Sequence, residues 1–570
     1  MKCAVGNIML WAFIVAVMTL YAVGLQCDYI PLTSDTELYA IYFVLLAESL
    51  TLLANRRLWK MARTSLTVYR TESLVLVLCN ILFCLSVEFN PILVAKSISI
   101  VVTAIISLAF CSTISGRKNI CAAFGIVCAL MAIMGLIRYC LYFGIEHPEF
   151  MMSFPFDNPC GYGILLAVLL PYAVRFLIKG QVVVCAVVIS VIVVALLLSE
   201  SRAAIVAAFV GVLVSVRTSW RKKYIVLISI CFIAICVCMY FMKPVSANGR
   251  LLIWRVGLEA SMKHWLFGGG GYAFEKEYMC EQARFFASEC HSEWIMIADN
   301  VSSPFNEYLL VFMRYGIVGI GVCSAFAAYV RKKIQSTWQD DKYAPLGAIT
   351  AAATASLFSY PLSYHMIVIV IVASVVMVLQ DEVRNAKCGV QETRYDTIVP
   401  VCSLLVSVMT FYMANMESKR LEIENCAENG GCEKRLMDRY ELMCKNPYYR
   451  HHPQFLFNYA LYLYECKRYE ESYLLLSKYQ DYGFDYEVVM MQAYLSERIG
   501  DEDGAVKLFK EAVAMVPCRM QPRYELIRLC KKNGKCAMAK DEIIKAESIP
   551  LKVENQESVY YRKMIEEMCL

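Results

Sequence analysis

Four short stretches of this 570-residue chain gather the side chains able to do chemistry. SESRAA (199–204) sets Glu200 beside Arg202, and NGRLLIWR (248–255) carries Arg250, Trp254 and Arg255. HWLFGGGGYAFEKEY (264–278) holds four consecutive glycines, free to take positive φ and to let backbone approach a ligand closely. SSPFNEYLLVFMRYGIVGIG (302–321) places Asn306 and Glu307 just after Pro304. A guanidinium keeps its charge and offers a planar fork of donors to phosphate. A carboxylate at a desolvated rim suits proton transfer. Each stretch also has a plain structural use. Arg202 can reach lipid phosphates along its aliphatic stem, and Arg250 can be a solvated loop charge. Asn306 and Glu307 can cap the helix that follows Pro304. The glycines can simply reverse the chain, and without a following Lys-Ser/Thr they do not make a P-loop.

What these groups can meet depends on where the chain puts them. The sequence is 59% hydrophobic and 18% charged, with mean hydropathy +0.50. Apolar runs fill residues 1–415, whereas the chain from Met416 onward is rich in Glu, Lys, Arg and Tyr. A bilayer core takes about 20 apolar residues as helix. By that measure the sequence predicts thirteen spans: 8–25, 37–55, 73–89, 92–114, 119–143, 160–178, 181–199, 203–217, 223–242, 304–330, 345–361, 363–380 and 396–415. The positive-inside rule fixes their direction. Arg56, Arg57, Arg117, Lys118, Arg175, Lys179, Arg221, Lys222, Arg331 and Lys332 fall on one side, whereas the short connections on the other side, Arg202 apart, lack Lys and Arg. With Lys2 cytoplasmic, the long loop 243–303 and the C-terminal region 416–570 lie outside the cytoplasm, as do all six histidines. The first span reads better as a retained helix than as a signal peptide, because no small-x-small cleavage site follows it.

Many of the 26 cysteines sit in apolar spans, where they act as small hydrophobes. Cys280 and Cys290 in the outer loop either pair in an oxidising compartment or stay free. No Cys/His spacing reads as a zinc site. After residue 453 the chain repeats itself: GDEDGAVKLFKEAVAMVP (500–517) aligns with GKCAMAKDEIIKAESIP (534–550), with Ala505 and Ala539 34 residues apart and Ser472 one period earlier. A small residue there lets two helices pack closely, and the spacing resembles tetratricopeptide repeats. The expected architecture is all-α: a polytopic membrane bundle (1–415) followed by an α-solenoid (416–570) offering a surface for a protein partner.

In order, Arg250-x3-Trp254, a Gly-rich turn from Gly268 to Phe274, and Pro304-x-Asn306-Glu307-x-Leu309 with Gly316 and Gly319 resemble the O-antigen ligase and polymerase superfamily, over roughly residues 160–380. That resemblance implies a bacterial inner-membrane glycosyltransferase working on the periplasmic face, its donor a glycan on polyprenyl diphosphate. Its acceptor is a lipid core, a growing glycan or a protein hydroxyl. It further implies that Arg202 and Arg250 hold the diphosphate, with Arg255, Gly270, Asn306 and His291 as further substrate contacts, and that neither metal, nucleotide nor other cofactor is needed. One departure stands out. Where many such ligases read P-H-N, this chain has Phe305, which cannot take a proton. Glu307 is then the favoured base, with His291 an alternative. The competing reading is a non-catalytic membrane scaffold for envelope polysaccharide assembly that recruits partners through its repeats. A transporter is disfavoured, because the polar residues gather at the outer rim and not at mid-bilayer.

Overall fold

The computed structural model describes residues 114–144, 158–177, 182–216, 244–288, 293–336, 342–379, 398–429, 433–552 and 554–568, with Ile230 and scattered positions between 39 and 156. These residues form helices and no strands. They divide into two compact units, one of 1–239 with 322–418, the other of 240–321 with 419–570. The loop 243–303 thus belongs with the C-terminal region.

The first unit contains α1 (Ile114–Leu141), α2 (Pro159–Leu177), α3 (Val182–Leu198) and α4 (Arg202–Val216). Its packing rests on small residues. Ala204, Ala207, Ala208, Gly211 and Ser215 are buried on α4, facing Gly347, Ala348, Ala351 and Ala355 of the later helix Tyr343–Ala355. A Cβ on Gly211 would press on the Gly347 carbonyl and the Ala351 methyl, so the two backbones lie in near contact. Lipid supplies no hydrophobic drive between helices, and close backbone approach through small residues takes its place. Three buried hydroxyls are paired: those of Tyr172 and Ser374 share a hydrogen bond of 2.7 Å, and that of Tyr162 donates to Met131 O at 2.9 Å. Val183, Val187, Val194 and Leu197 leave α3 apolar on its exposed side, as a lipid-facing helix requires.

The second unit opens with α5 (Pro244–Ser261) and α6 (Ala273–Ser288); next in the chain comes α7 (Glu307–Ser336), whose first turns belong to it. The later helices of the first unit are α8 (Tyr343–Ala355), α9 (His365–Leu379) and the start of α10 (Ile398–Asn429). The C-terminal region continues with α11 (Lys434–Cys444), then the hairpins α12 (Pro453–Glu465) with α13 (Tyr469–Tyr479), α14 (Tyr486–Ile499) with α15 (Glu502–Met515) and α16 (Met520–Lys532) with α17 (Cys536–Ser548), and ends in α18 (Gln556–Glu567). α14 and α16 begin at 486 and 520, and α15 and α17 at 502 and 536, a step of 34 in both. Ser472, Ala505 and Ala539 are all buried at the matching place. One apolar core runs from the loop (Leu252, Val256, Phe274, Ala298) through Leu309 and Met313 to the hairpins (Val489, Phe509, Leu526).

Two described stretches, Arg117–Leu141 and Glu307–Ile334, are long and apolar enough to cross a membrane, and four shorter apolar helices accompany them. The expected spans 8–25 and 73–89 lie outside the described residues, 223–242 is represented only by Ile230, and 37–55 and 92–114 are seen only at scattered helical positions. Three spans differ from expectation, the first being 345–361, whose α-helix ends at Ala355. The helix expected to end at 415 runs on to Asn429, because MESKRLEIENCAEN is rich in helix formers and is stapled by the Arg420–Glu424 pair at 2.5 Å. The span expected at 304–330 starts at Glu307 and is broken at Gly316 (φ 61°, ψ −159°).

Candidate functional site

The spacing Arg250-x3-Trp254 puts both side chains on one face of α5, since residues four apart stand one above the other. That face meets the other end of the loop. The Trp254 indole Nε1 donates to Pro304 O at 3.0 Å, and the Arg250 guanidinium lies 5.8 Å from the centre of the Phe305 ring. Phe305 has φ 50°, a backbone state that bulky residues rarely adopt. Beyond it Asn306 caps α7, its Oδ1 accepting from Leu309 N at 3.0 Å. Glu307 is buried at the first position of that helix. Arg255 turns elsewhere: it pairs with Glu259 at 3.3 Å and lies over the Phe285 ring at 4.7 Å.

The four glycines meet the broken helix. In an unbroken α7 the N–H groups of Ile317 and Val318 would bond the carbonyls of Met313 and Arg314. Here Ile317 N donates to Trp265 O (2.8 Å) and Val318 N to Leu266 O (3.3 Å), whereas Met313 O and Arg314 O accept from Gly269 N (2.8 Å) and Gly270 N (3.1 Å). The loop inserts its backbone into the break and restores all four partners. Gly268 (φ 77°) must lack a side chain, since a Cβ would collide with the Arg314 carbonyl. The Gly268 N–H bonds His264 O at 2.7 Å. Three of the four glycine N–H groups, Gly270 included, therefore serve the protein's own carbonyls. Arg314, not singled out by its sequence, pairs with Glu275 at 2.9 Å just before the break.

In the first unit, Ser201 caps α4 by accepting from Ala204 N at 3.3 Å, which puts Arg202 at the first helical position. Glu200 before it has φ 51°. Lys467 is the third non-glycine residue with positive φ among those described, and it has a local explanation. It occupies the αL turn that Gly500 and Gly534 fill in the next repeats, each turn closed by a matching backbone bond: Arg468 N to Leu463 O, Asp501 N to Ser496 O and Lys535 N to Cys530 O. Glu200 and Phe305 have no such repeat role, and each adjoins a candidate motif. Beside the Glu200 turn the sequence reading missed a polar cluster. Asn158 Nδ2 donates to the hydroxyls of Tyr360 (3.0 Å) and Tyr364 (2.9 Å), and His365 is buried at the start of α9. YPLSYH (360–365), polar between two close apolar runs, was the available signal.

His291 and Cys290 lie outside the described residues. His264 stands 3.4 Å from Glu277. Cys280 is a free thiol, pushed up to about 11 by burial with Glu511 adding to the effect, so the disulfide alternative is not the one taken. Cys466 is disulfide-bonded.

Set against known proteins, residues 185–323 match the family described as O-antigen ligase. The matched stretch holds Arg202, Arg250, the glycine loop and the Pro304–Leu309 motif, and makes the chain similar to membrane transferases of O-antigen assembly. No curated protein and no solved structure matches the chain.

Proposed function

We propose that the chain is an inner-membrane glycosyltransferase that moves a glycan from a polyprenyl diphosphate to an acceptor hydroxyl on the periplasmic face. The observation that carries this reading is the strained backbone at Glu200 and Phe305. Such strain costs about 1–3 kcal/mol per residue and persists where function requires a particular geometry. An arginine accompanies each strained residue: Arg202 follows Glu200 by two positions, and Arg250 lies over Phe305.

In this mechanism the acceptor oxygen attacks the anomeric carbon, the bond from that carbon to the phosphate oxygen breaks, and polyprenyl diphosphate leaves. Arg202 and Arg250 hold the diphosphate and balance the charge that grows on it. Glu307 takes the hydroxyl proton, a role its neighbour Phe305 cannot fill. Asn306 keeps the turn in place through its cap, and Arg255 and Gly270 are engaged with the protein's own groups.

The disulfide at Cys466 supports an oxidising compartment for the C-terminal region. Helix hairpins stepping by 34 support tetratricopeptide-type repeats, which favour a protein acceptor or partner. Phe305 favours the second reading, a non-catalytic scaffold for polysaccharide assembly.

A deletion strain, complemented with wild type, Arg202→Ala, Arg250→Ala or Glu307→Ala, separates the two. Surface polysaccharide or glycoprotein ladders should vanish on deletion and stay absent with each variant. Normal ladders in the deletion strain would remove the enzyme reading. Full rescue by all three variants would leave the scaffold.

A further inference from the structure

A residue such as Phe305 keeps φ 50° only if its surroundings over-determine it. On its C-terminal side the Asn306 cap and α7 do this. On its N-terminal side the chain is pinned at Pro304 O by Trp254, and again six residues before Phe305, at Asp299. That second pin is made by the connections between the C-terminal helices, before α16 and after α17. Lys552 Nζ donates to Asp299 Oδ2 (2.9 Å) and Ala298 O (3.0 Å). The Cys518 thiol also points to Ala298 O, at 3.6 Å. Arg519 adds a longer contact to Asp299 at 3.5 Å, its guanidinium fixed by Glu487 and laid over Tyr486. From α6, Gln282 Nε2 bonds both Asp299 O (3.1 Å) and Met515 O (2.6 Å), joining loop and hairpin through one buried amide.

We propose that Asp299 is a positioning residue through which the C-terminal helices brace the outer loop and hold the Phe305–Glu307 turn in its strained form. The partner of this part of the helical array is thus the chain's own loop. The brace itself stands on the contacts above, and its effect on transfer rests on the glycosyltransferase reading. Six residues span at most about 20 Å, so freeing Asp299 gives the turn slack that the Trp254 bond alone must absorb.

The test uses the full chain in nanodiscs, with wild type, Asp299→Asn, Lys552→Met, the double variant and Lys552→Arg. Hydrogen exchange is followed over 294–306, together with transfer from a lipid-linked donor. Asp299→Asn loses the charge and one of the two acceptor oxygens, and should raise exchange roughly threefold; Lys552→Met loses both lysine contacts, and should raise it roughly tenfold. The double variant should match Lys552→Met, as expected for coupled partners. kcat should fall in the same order with the donor KM unchanged, and Lys552→Arg should restore both readouts. Unchanged exchange in both single variants overturns the brace whatever the activity. Raised exchange with unchanged kcat overturns the positioning role. A wild-type chain that transfers no glycan removes the function reading, and exchange alone then decides the brace.

Discussion

Gly268→Ala should unseat the glycine loop from the broken helix. Two costs add. A non-glycine residue at φ 77° carries a penalty of roughly 1–2 kcal/mol. The new Cβ also cannot coexist with the Arg314 carbonyl, so the loop must lift. Lifting strains the exchanged bonds Gly269–Met313, Gly270–Arg314, Ile317–Trp265 and Val318–Leu266, each contributing about 1 kcal/mol net. Loss of half of them brings the total to about 3–4 kcal/mol. Gly269→Ala is the matched control. No positive φ is needed there, and its Cβ would meet only side chains, Glu277 Oε1 at 2.9 Å, which must leave His264 to make room, and the Ala273 methyl at 3.0 Å, with no backbone in the way. Its cost should be about 1 kcal/mol. Hydrogen exchange at 264–270 and 313–318 in detergent-solubilised protein reads both. Equal exchange in the two variants would refute the insertion as the reason for the glycine run.

Lys467→Gly should stabilise the C-terminal helices by about 1 kcal/mol, because an αL turn that Gly500 and Gly534 fill freely is strained by a side chain; a raised Tm of the purified chain is the check. Glu200→Gly and Phe305→Gly should relax strain in the same way yet lower glycan transfer at least tenfold, and stabilised variants with full activity would separate the strain from function. At Asp299 burial works to raise the carboxyl, but the Lys552 bond and charge, the Asn300 N–H and Arg519 outweigh it and hold the group below its ordinary value. A depressed acid stabilises the fold above its unfolded pKa and stops doing so as pH falls through the folded one. Protection of 294–306 should therefore be flat from neutral pH down to about 5 and decline below about 4; a decline already at pH 6 would implicate another group.

Some of this was legible in the sequence because its signals are local. Ala505, Ala539 and Ser472 mark the hairpin array through a 34-residue period that any alignment of the chain with itself reveals. The Asn306 cap follows from a short polar side chain just after proline, and the meeting of Arg250 and Trp254 with 304–305 is prepared by i,i+4 spacing. What stayed hidden depends on contacts distant in sequence. Asp299 and Lys552 lie 253 residues apart and show no pattern that pairs them. The Asn158–Tyr360–Tyr364 cluster joins segments some 200 residues apart. Glu200 and Phe305 are strained by their surroundings, and nothing in either residue type announces a positive φ.

The glycine run shows how one local signal can serve two physical ends. Successive backbone N–H groups without side chains suit a phosphate, and they suit equally the bare carbonyls of an interrupted helix. The break at Gly316 decides between these. By itself it would strand two carbonyls and two N–H groups beside an apolar span, each costing about 1–3 kcal/mol. In hydrocarbon, irregular backbone survives only where protein supplies partners. A glycine loop without the break would find no carbonyls to take, and a break without the loop would close back into helix. The two features therefore require each other, and the insertion fixes the far end of the short helical arm that begins at Glu307. With Trp254 and Asp299 fixing the near end, the strained turn at Phe305 lies between two anchors, neither of which is part of the proposed chemistry. In the reaction proposed above, charge for the donor diphosphate falls to arginines, and the glycine loop contributes rigidity to the arm that begins at Glu307.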